Sequence, residues 1–409
     1  MRVTLTNDLK NSGNIAMFQV SLTETERNGG GTLAVRDAKG AVLARSPVEE
    51  LPQEAMVGAH MHRFAPGPNS LSFAIENGAG NWLSQMNVRG GASGTEVAFD
   101  NPIKMTQLAN RIAEEMRAFD VPIVFFGACD SSLYPYGTSE LKPWFDRDDA
   151  AQVVQAWQGA QRVDADMAGQ LQGFVKNGFI VFENLIDDAL IDQINLEIDE
   201  AIAERHGGYE YGSSQRIEHL HFSKPGIQRL FRHEKLRHLA SLLLEGDARP
   251  SQTLTFVFGS QQDAHQDTIH LTPFPAGYMS GIWIALQDIQ PGSGELVVYP
   301  GSHREPRVYM ADAECPKVTD GNWSEFGRKV VPIWEEIAAR YPREVYQPKK
   351  GTVLFWHENL LHSGSPRQDK ALERRAIVIH TFSSSAVVYY DSSGLVGTIS
   401  EPELHLEDH

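Results

Sequence analysis

Short segments of alternating apolar and polar residues, separated by turn residues, occupy the first part of the chain. Thr32–Arg36 and Ser70–Ile75 show this alternation over lengths that are typical of half-buried strands. Asn28–Gly31 and Pro66–Asn69 lie between such segments and are rich in the glycine, proline and asparagine that turns favour. The pattern predicts a small antiparallel β-sandwich over residues 1–98.

His60 and His62 alternate along another predicted strand and therefore share one of its faces. Two imidazoles on one face could bind a metal ion, but no third ligand is evident nearby. We interpret the pair as part of the solvated face of an edge strand.

A connecting region of different character is predicted over residues 99–160. Apolar residues at helical spacing come first, and the apolar run 121–126 then predicts a buried strand. The loop that follows is rich in turn residues and carries Asp130 and Ser131, which could face a substrate. We favour a structural role, in which the aromatic residues of this loop seal one domain onto the next.

Helical periodicity begins near residue 150 and gives way to apolar strands after residue 250. Gly178 follows the second predicted helix at the position of a C-terminal cap. Helices followed by strands fit a double-stranded β-helix over residues 161–390, a jelly-roll, cupin-like barrel with helices backing its main sheet. Residues 391–409 end in acidic and histidine residues and are expected to be a solvated C-terminal tail.

The composition excludes several classes of function. The 36 lysines and arginines stand against 53 aspartates and glutamates, a net charge of −17 that argues against non-specific binding to nucleic acid or an anionic membrane. Cys129 and Cys315 make no disulfide framework and fit a reducing cytosol. Because no stretch resembles a signal peptide or a membrane span, we expect a cytoplasmic protein.

The candidate chemistry centres on His265 and Asp267. In a strand, residues two positions apart point to the same face, so this pair would supply two-thirds of a 2-His-1-carboxylate iron site. His362, in a turn after an apolar strand, is the predicted third ligand. His357 competes for that role, but the Ser-Gly pair after His362 and the spacing to Arg374 favour His362.

Arg374 opens the last long strand, and its guanidinium could hold a dicarboxylate cosubstrate through a bidentate pair. Arg375 is the alternative. Strand alternation sends the two arginines to opposite faces, and Arg374 shares its face with Ala376 and Val378. A His-x-Asp alone is weak evidence, whereas the ordered set of His-x-Asp, a distant His and this Arg is much stronger.

This ordered set resembles the phytanoyl-CoA dioxygenase (PhyH) family of Fe(II)- and 2-oxoglutarate-dependent oxygenases. The resemblance covers roughly residues 165–385. Besides the four residues of the set, it rests on Leu171–Leu185 and the helix after it, on Gly281–Ile289, and on Gly294–His303 with its Pro-Gly-Ser-His turn.

The resemblance implies that His265, Asp267 and His362 bind Fe(II), and that 2-oxoglutarate and O2 are cosubstrates. Because related halogenases carry a small residue at the position of Asp267, it also implies hydroxylation or another oxidation rather than halogenation. Hydroxylation of an unactivated C–H bond, with release of succinate and CO2, is the expected reaction. The residues expected to contact 2-oxoglutarate are Arg374, Trp283, Ser363 and Gln252. Those expected to line the substrate site are Phe256, Gln262, His270, Tyr278, Arg304 and Trp356. His303, in the family turn, is expected to be structural.

Two other functions stay open on the sequence. One is a non-catalytic carbohydrate-binding protein on a degenerate β-helix scaffold, and the other is a cupin-like metal-dependent isomerase or hydrolase that needs no 2-oxoglutarate. The complete ligand set and Arg374 favour the oxygenase. A small, carrier-bound or glycan-type substrate is expected, and the sequence names neither that substrate nor the oligomeric state.

Overall fold

The computed structural model describes residues 1–6, 15–60, 67–68, 70–89, 98–99, 121, 123–134, 141–397 and 399. The chain divides into two compact units. Unit 1 comprises Met1–Pro135, Lys317–Asp320 and Ser384–Glu403, and unit 2 comprises Tyr136–Pro316, Gly321–Ser383 and Leu404–His409. Within the described ranges, no helix is long and apolar enough to cross a membrane.

The described strands, numbered in chain order, are β1 (Arg2–Leu5), β2 (Ile15–Ser21), β3 (Thr32–Arg36), β4 (Val42–Pro47), β5 (Glu54–His60), β6 (Gly67–Pro68), β7 (Ser70–Glu76), β8 (Trp82–Arg89), β9 (Ala98–Phe99), β10 (Ile123–Phe125), β11 (Phe179–Phe182), β12 (Arg216–Glu218), β13 (Ala248–Phe256), β14 (Thr272–Phe274), β15 (Met279–Ala285), β16 (Leu296–Val298), β17 (Glu344–Tyr346), β18 (Val353–His357), β19 (His362–Gly364), β20 (Ala376–Ser383), β21 (Val387–Tyr390) and β22 (Leu395–Val396). The described α-helices are α1 (Glu24–Asn28), α2 (Ala150–Gly159), α3 (Ala165–Asn177), α4 (Asp188–Ala203), α5 (Pro225–Phe231), α6 (Glu234–Leu243), α7 (Ser324–Lys329) and α8 (Val331–Ala338).

Unit 1 is built mainly from two four-stranded antiparallel sheets, with the orders β1-β2-β5-β10 and β4-β3-β7-β8. Their apolar faces share one core, in which the rings of Phe18 on β2 and Phe73 on β7 lie 5.4 Å apart. Leu33 and Val35 of β3 lie in this core. The residues between and beside them point to the opposite face of the strand, as the alternation in the sequence predicts.

The end of unit 1 differs from the predicted domain boundaries. Strand β10, from the predicted connecting region, pairs with β5. The β21–β22 hairpin, which spans the predicted end of the metal domain at residue 390, also belongs to unit 1. A side chain at Gly58 would meet Val396, so the two segments pack closely. Asp391 is fully buried and accepts hydrogen bonds from the Ser131 amide and from Lys317. Residues 391–397 are therefore packed rather than a solvated tail.

Two other expectations for unit 1 can be compared with the structure. His60 is fully buried beside Tyr134, with ring centroids 5.7 Å apart, so a solvated face is wrong for it; His62 lies outside the described residues. Asp130 caps a short 3₁₀ turn through the amide of Ser132 and forms an ion pair with Lys317 at 2.9 Å. These contacts agree with a structural role for the loop of Asp130 and Ser131.

Unit 2 is a mixed α/β structure with two sheets. The larger sheet has six strands in the order β11-β18-β15-β20-β13-β12, and the smaller has three in the order β17-β16-β19. Helix α3 is capped at its N-terminus by Asp164, whose carboxylate accepts from the amide of Met167, and at its C-terminus by Gly178 in the left-handed conformation. A side chain at Gly178 would strike His303, so this position requires glycine for space as well as for conformation.

The six-stranded sheet has two apolar faces, as strict alternation along β15 shows. Ile282 and Ile284 pack in a core with the helices. Trp283 and Ala285 pack on the opposite face, in a second cluster that includes Leu296 from the smaller sheet. Side chains on this second face of β13, β15, β18 and β20 therefore lie between the two sheets, and the candidate site lies there too.

Candidate metal centre

Three side chains of unit 2 converge in a geometry that could hold one metal ion. Nε2 of His265 lies 3.8 Å from Oδ1 of Asp267, and Nε2 of His362 lies 3.7 Å from the same oxygen. One ligand atom from each residue lies within 4.8 Å of the other two. Two imidazoles and one carboxylate arranged in this way fit the facial set that binds Fe(II).

Backbone hydrogen bonds position these ligands. His265 and His362 form an isolated antiparallel bridge, while Asp267 begins a 3₁₀ turn and its amide donates to the carbonyl of Glu358 over 3.1 Å. The His-x-Asp spacing predicted one continuous strand through His265 and Asp267. The structure has an isolated bridge followed by a 3₁₀ turn instead. The backbone of His265 pairs with His362, and that of Asp267 pairs with Glu358. These two pairings bring the side chains of His265 and Asp267 to within 3.8 Å of each other.

Both histidines have their ring orientation set by a main-chain carbonyl. Nδ1 of His265 donates to the carbonyl of Asp263 over 2.8 Å, and Nδ1 of His362 donates to that of Leu360 over 3.0 Å. With the proton on Nδ1, the lone pair of each imidazole is on Nε2, which faces Asp267. Such carbonyl partners are typical of metal-binding histidines.

The electrostatics of the centre favour the metal-binding protonation states. Burial, together with the neighbouring His362, lowers the pKa of His265 to about 3, so this imidazole is neutral near pH 7. Burial alone would raise the pKa of Asp267, but His362 and His380 outweigh it and hold that pKa well below its ordinary value. Asp267 is therefore ionised while His265 is neutral.

Arg374 is a buried cation without a carboxylate partner among the described residues. Its side chain is 3% exposed, its Nε donates to the carbonyl of Gly294 over 3.1 Å, and its Nη1 has no partner in the described part of the chain. The guanidinium carbon lies 5.5 Å from the ring centre of Phe256 and 5.7 Å from that of Trp283. Burial lowers its pKa to about 10, which still leaves it charged near pH 7. A buried donor of this kind fits a ligand carboxylate.

Arg375 has a different environment. It forms ion pairs with Glu373 and Asp199 and donates to the carbonyl of Asn195, on the helix side of the sheet. Ala376 and Val378 lie in the inner cluster. The face expected for Arg374 from strand alternation therefore matches its contacts.

The other candidate 2-oxoglutarate residues lie in different surroundings. Trp283 is buried beside Arg374, and its Nε1 has no hydrogen-bond partner within the described ranges. Ser363 follows His362 and pairs with Val297 of the smaller sheet. Gln252 is already engaged, because its Nε2 lies 3.1 Å from Nδ1 of His380. Trp283 and Ser363 are thus compatible with a cosubstrate contact, whereas Gln252 contacts another side chain.

Three of the expected substrate residues lie near the centre or open towards a cleft. Phe256 and the exposed Gln262 line a cleft of about 530 Å³, together with polar residues of the 206–218 loop. His270 packs among Trp323, Phe326 and Trp334, and the last of these also lies 6.3 Å from the ring centre of His265.

The other three expected substrate residues have different contacts. The indole of Trp356 bonds to Asp267. Tyr278 is fully buried, and its carbonyl accepts from the amide of Ser383. Arg304 donates to the carbonyl of Val175 and lines a separate cleft with Asp146 and Arg307. The described contacts do not bring Tyr278 or Arg304 to the ligand set.

His357, the competing third ligand, uses both ring nitrogens elsewhere. Its Nε2 lies 3.0 Å from Asp146, and its Nδ1 accepts from the amide of Asn359 over 3.0 Å. His303 packs against His357, with ring centres 5.3 Å apart, and its Nε2 contacts the carbonyl of Val175. Neither imidazole belongs to the ligand set, and His303 has the structural surroundings expected for it.

Sequence reasoning missed His380, whose Nε2 lies 3.5 Å from Oδ2 of Asp267. A signal for it was present, because His380 stands at even spacing from Arg374 and Val378 on one strand and therefore shares their face.

Comparison with known proteins gives the family. The model of the phytanoyl-CoA dioxygenase (PhyH) family matches residues 174–376. Peroxisomal phytanoyl-CoA dioxygenase of Rattus norvegicus is 31% identical over 136 residues, which are 33% of this chain and only 37% of that protein. Ectoine dioxygenase of Nocardia farcinica is 26% identical over 252 residues, covering 57% of this chain and 80% of that protein. The solved structure of EctD from S. alaskensis with 2-oxoglutarate and 5-hydroxyectoine has a TM-score of 0.45 and 16% identity, covering 58% of this chain and 86% of that one. The resemblance in the sequence is thus confirmed, and residues 174–376 form a domain of the phytanoyl-CoA dioxygenase family.

Proposed function

We propose that this protein is an Fe(II)- and 2-oxoglutarate-dependent dioxygenase that hydroxylates an unactivated C–H bond of a small or carrier-bound molecule. The observation that carries the proposal is the buried Arg374, which has no carboxylate partner among the described residues and packs beside Phe256 and Trp283 on the inner face of the six-stranded sheet. Three metal ligands alone would also suit a cupin-like isomerase or hydrolase. A carboxylate-binding cation beside them is specifically what a 2-oxoglutarate enzyme requires.

The residues of the centre have separate tasks under this proposal. Nε2 of His265, Nε2 of His362 and Oδ1 of Asp267 would hold Fe(II) on one side only, which leaves positions for the keto acid and O2. Arg374 would bind the distal carboxylate of 2-oxoglutarate, with Trp283 and Ser363 beside it. Bound iron and 2-oxoglutarate would supply the oxidation, with release of succinate and CO2, while the protein positions the substrate carbon.

The substrate is expected to be polar on at least one side. The cleft that begins at Phe256 is lined by hydroxyl, amide and charged groups, among them Ser214, Gln215, Arg216 and Gln262. The relatives' names do not agree on one substrate, since one is a phytanoyl-CoA dioxygenase and another an ectoine dioxygenase. A small metabolite or a glycan-type molecule fits such a lining.

The fold that holds the candidate metal centre is proposed to be the double-stranded β-helix.

Unit 1 and the cellular location stay predictions. We propose that the two sheets of unit 1 form the accessory sandwich that recognises or positions a substrate or partner. The two buried cysteines form no disulfide and suit the cytoplasm, as the sequence predicts.

Anaerobic addition of Fe(II) and then 2-oxoglutarate tests the proposal. An oxygenase of this class gives a weak visible charge-transfer band, and under air it consumes 2-oxoglutarate and releases succinate. A carbohydrate-binding protein gives neither signal, and a cupin-like isomerase binds metal without forming the band. Mass spectrometry over a metabolite panel would then find the substrate as a product that has gained one oxygen.

A further inference from the structure

Four residues that meet at the metal centre form one row across the six-stranded sheet. Gln252 on β13 is opposite His380 on β20, His380 is opposite Gly281 on β15, and Gly281 is opposite Trp356 on β18. Residues that are opposite on neighbouring strands point to the same face. The side chains of this row therefore all reach the space between the two sheets, where Asp267 lies.

The two carboxylate oxygens of Asp267 have different surroundings. Oδ1 faces Nε2 of His265 and Nε2 of His362. Oδ2 instead accepts a hydrogen bond of 2.7 Å from the indole Nε1 of Trp356 and lies 3.5 Å from Nε2 of His380. Oδ1 thus points to the proposed metal position, and Oδ2 contacts Trp356 and His380 of the six-stranded sheet.

Gln252 determines which nitrogen of His380 carries the proton. The amide Nε2 of Gln252 lies 3.1 Å from Nδ1 of His380, and an amide N–H can only donate. Nδ1 therefore accepts, and in the neutral ring the proton is on Nε2, which faces Oδ2 of Asp267. His380 and Trp356 thus present two N–H groups to the same oxygen.

Gly281 makes this convergence possible. It is the third of the four residues of the row, between His380 and Trp356, and it has no side chain to fill the space above the strand. A Cβ at this position would overlap the five- and six-membered rings of the Trp356 indole. The backbone conformation of Gly281 is ordinary, so the requirement is for space alone.

We propose that Trp356 and His380 are positioning residues that hold Oδ2 of Asp267, so that this carboxylate binds the metal through Oδ1 alone. The inference rests on the proposed function, because it concerns the same metal centre. A hydrogen bond to an ionised acceptor is stronger than one to a neutral acceptor, so the 2.7 Å bond from Trp356, with Nε2 of His380 3.5 Å from the same oxygen, would restrain the carboxylate from turning. A carboxylate free to turn could bind through both oxygens and take a position that a cosubstrate needs. Gln252 and Trp356, expected to contact 2-oxoglutarate and substrate, would both act through Asp267.

Metal binding tests this proposal without an activity assay. Trp356→Phe removes one donor and keeps an aromatic ring, and His380→Leu removes the other. His380→Gln retains an N–H near the position of Nε2, and Gly281→Ala displaces the indole without removing a donor. Each purified full-length variant is titrated anaerobically with Fe(II). It is also loaded with Mn(II), for which water-proton relaxation reports the number of metal-bound waters.

We expect the Fe(II) dissociation constant to rise roughly tenfold to hundredfold in Trp356→Phe, His380→Leu and Gly281→Ala, as for other losses of a ligand's hydrogen-bond partner. We also expect fewer waters on Mn(II) in these variants, because the second carboxylate oxygen would displace one. His380→Gln should lie closer to the wild-type protein in both measurements.

Two buried residues outside the centre provide matched controls. Trp144 is fully buried, and its Nε1 donates to the carbonyl of Leu243 over 2.8 Å, while His221 is buried and bonds to Thr253 over 2.9 Å. Trp144→Phe and His221→Leu should leave both metal measurements unchanged, which separates positioning from general loss of packing.

Wild-type affinity and water number in Trp356→Phe and His380→Leu would overturn the inference. So would equal losses in the controls, or weaker affinity with an unchanged water number. Failure of the wild-type protein to take up Fe(II) would instead overturn the proposed function.

Discussion

His265 and His362 are directly opposite each other in an isolated antiparallel bridge. The amide of His265 donates to the carbonyl of His362 over 3.0 Å, and the amide of His362 donates back over 3.2 Å. This reciprocal pair brings together two proposed metal ligands that are far apart in the chain, and their ring centres lie 4.3 Å apart. The candidate metal centre is therefore positioned by main-chain hydrogen bonds.

Replacement of His265 by alanine should abolish stoichiometric Fe(II) binding and all turnover, because only two of the three ligands would remain. Anaerobic titration followed by iron analysis of the desalted protein measures this. His221→Ala, a buried histidine outside the centre, should bind iron normally. Full iron occupancy in His265→Ala would refute the ligand assignment.

Arg374→Ala should raise the apparent constant for 2-oxoglutarate by about 100-fold, which corresponds to about 3 kcal/mol for a buried charge pair. Arg375→Ala is the matched control, since its side chain is already paired with Glu373 and Asp199. Succinate release as a function of 2-oxoglutarate concentration measures both constants. The reverse pattern would show that the cosubstrate lies on the other face of β20.

Arg307→Met should lower the free energy of unfolding by about 3 kcal/mol, because it leaves two carboxylates without their shared cation. Arg307 pairs with Glu358, which is fully buried, over 2.6 Å and with Asp146 over 3.3 Å. The exposed pair of Arg328 and Glu325 is the control, and Arg328→Met should leave the free energy of unfolding nearly unchanged because solvent screens this pair. Denaturant titrations of the three proteins make the comparison, and equal midpoints would contradict it.

A shortened protein that begins near residue 136 should still bind iron and consume 2-oxoglutarate without substrate, provided that it folds. All three ligands and Arg374 belong to unit 2. The segment around Val396 would lose the packing it makes with Gly58, so lower solubility is expected. Iron content of the soluble, folded fraction is the measurement. Loss of iron binding in such a fraction would mean that unit 1 is part of the catalytic unit.

Local sequence pattern was sufficient to predict the family and to select the candidate residues of the centre. The period of two along a strand separates Arg374 from Arg375 and places Arg374 with Val378, and the contacts of the two arginines follow that separation. The order of His265, Asp267, His362 and Arg374 predicted the family, and the family match confirms it. These features are readable because residue type and strand alternation are properties of short stretches.

Relations between distant strands could not be read in the same way. The sequence contains Gln252, His380, Gly281 and Trp356, but only strand order and register place them in one row beneath Asp267. For the same reason Trp356 was expected to face a substrate although it bonds to Asp267, a proposed metal ligand. Residue 391 was likewise expected to open a solvated tail, although Asp391 is buried. Strand register is decided by the total fit of two apolar faces and their hydrogen bonds, and that fit depends on pairings made only in the folded chain.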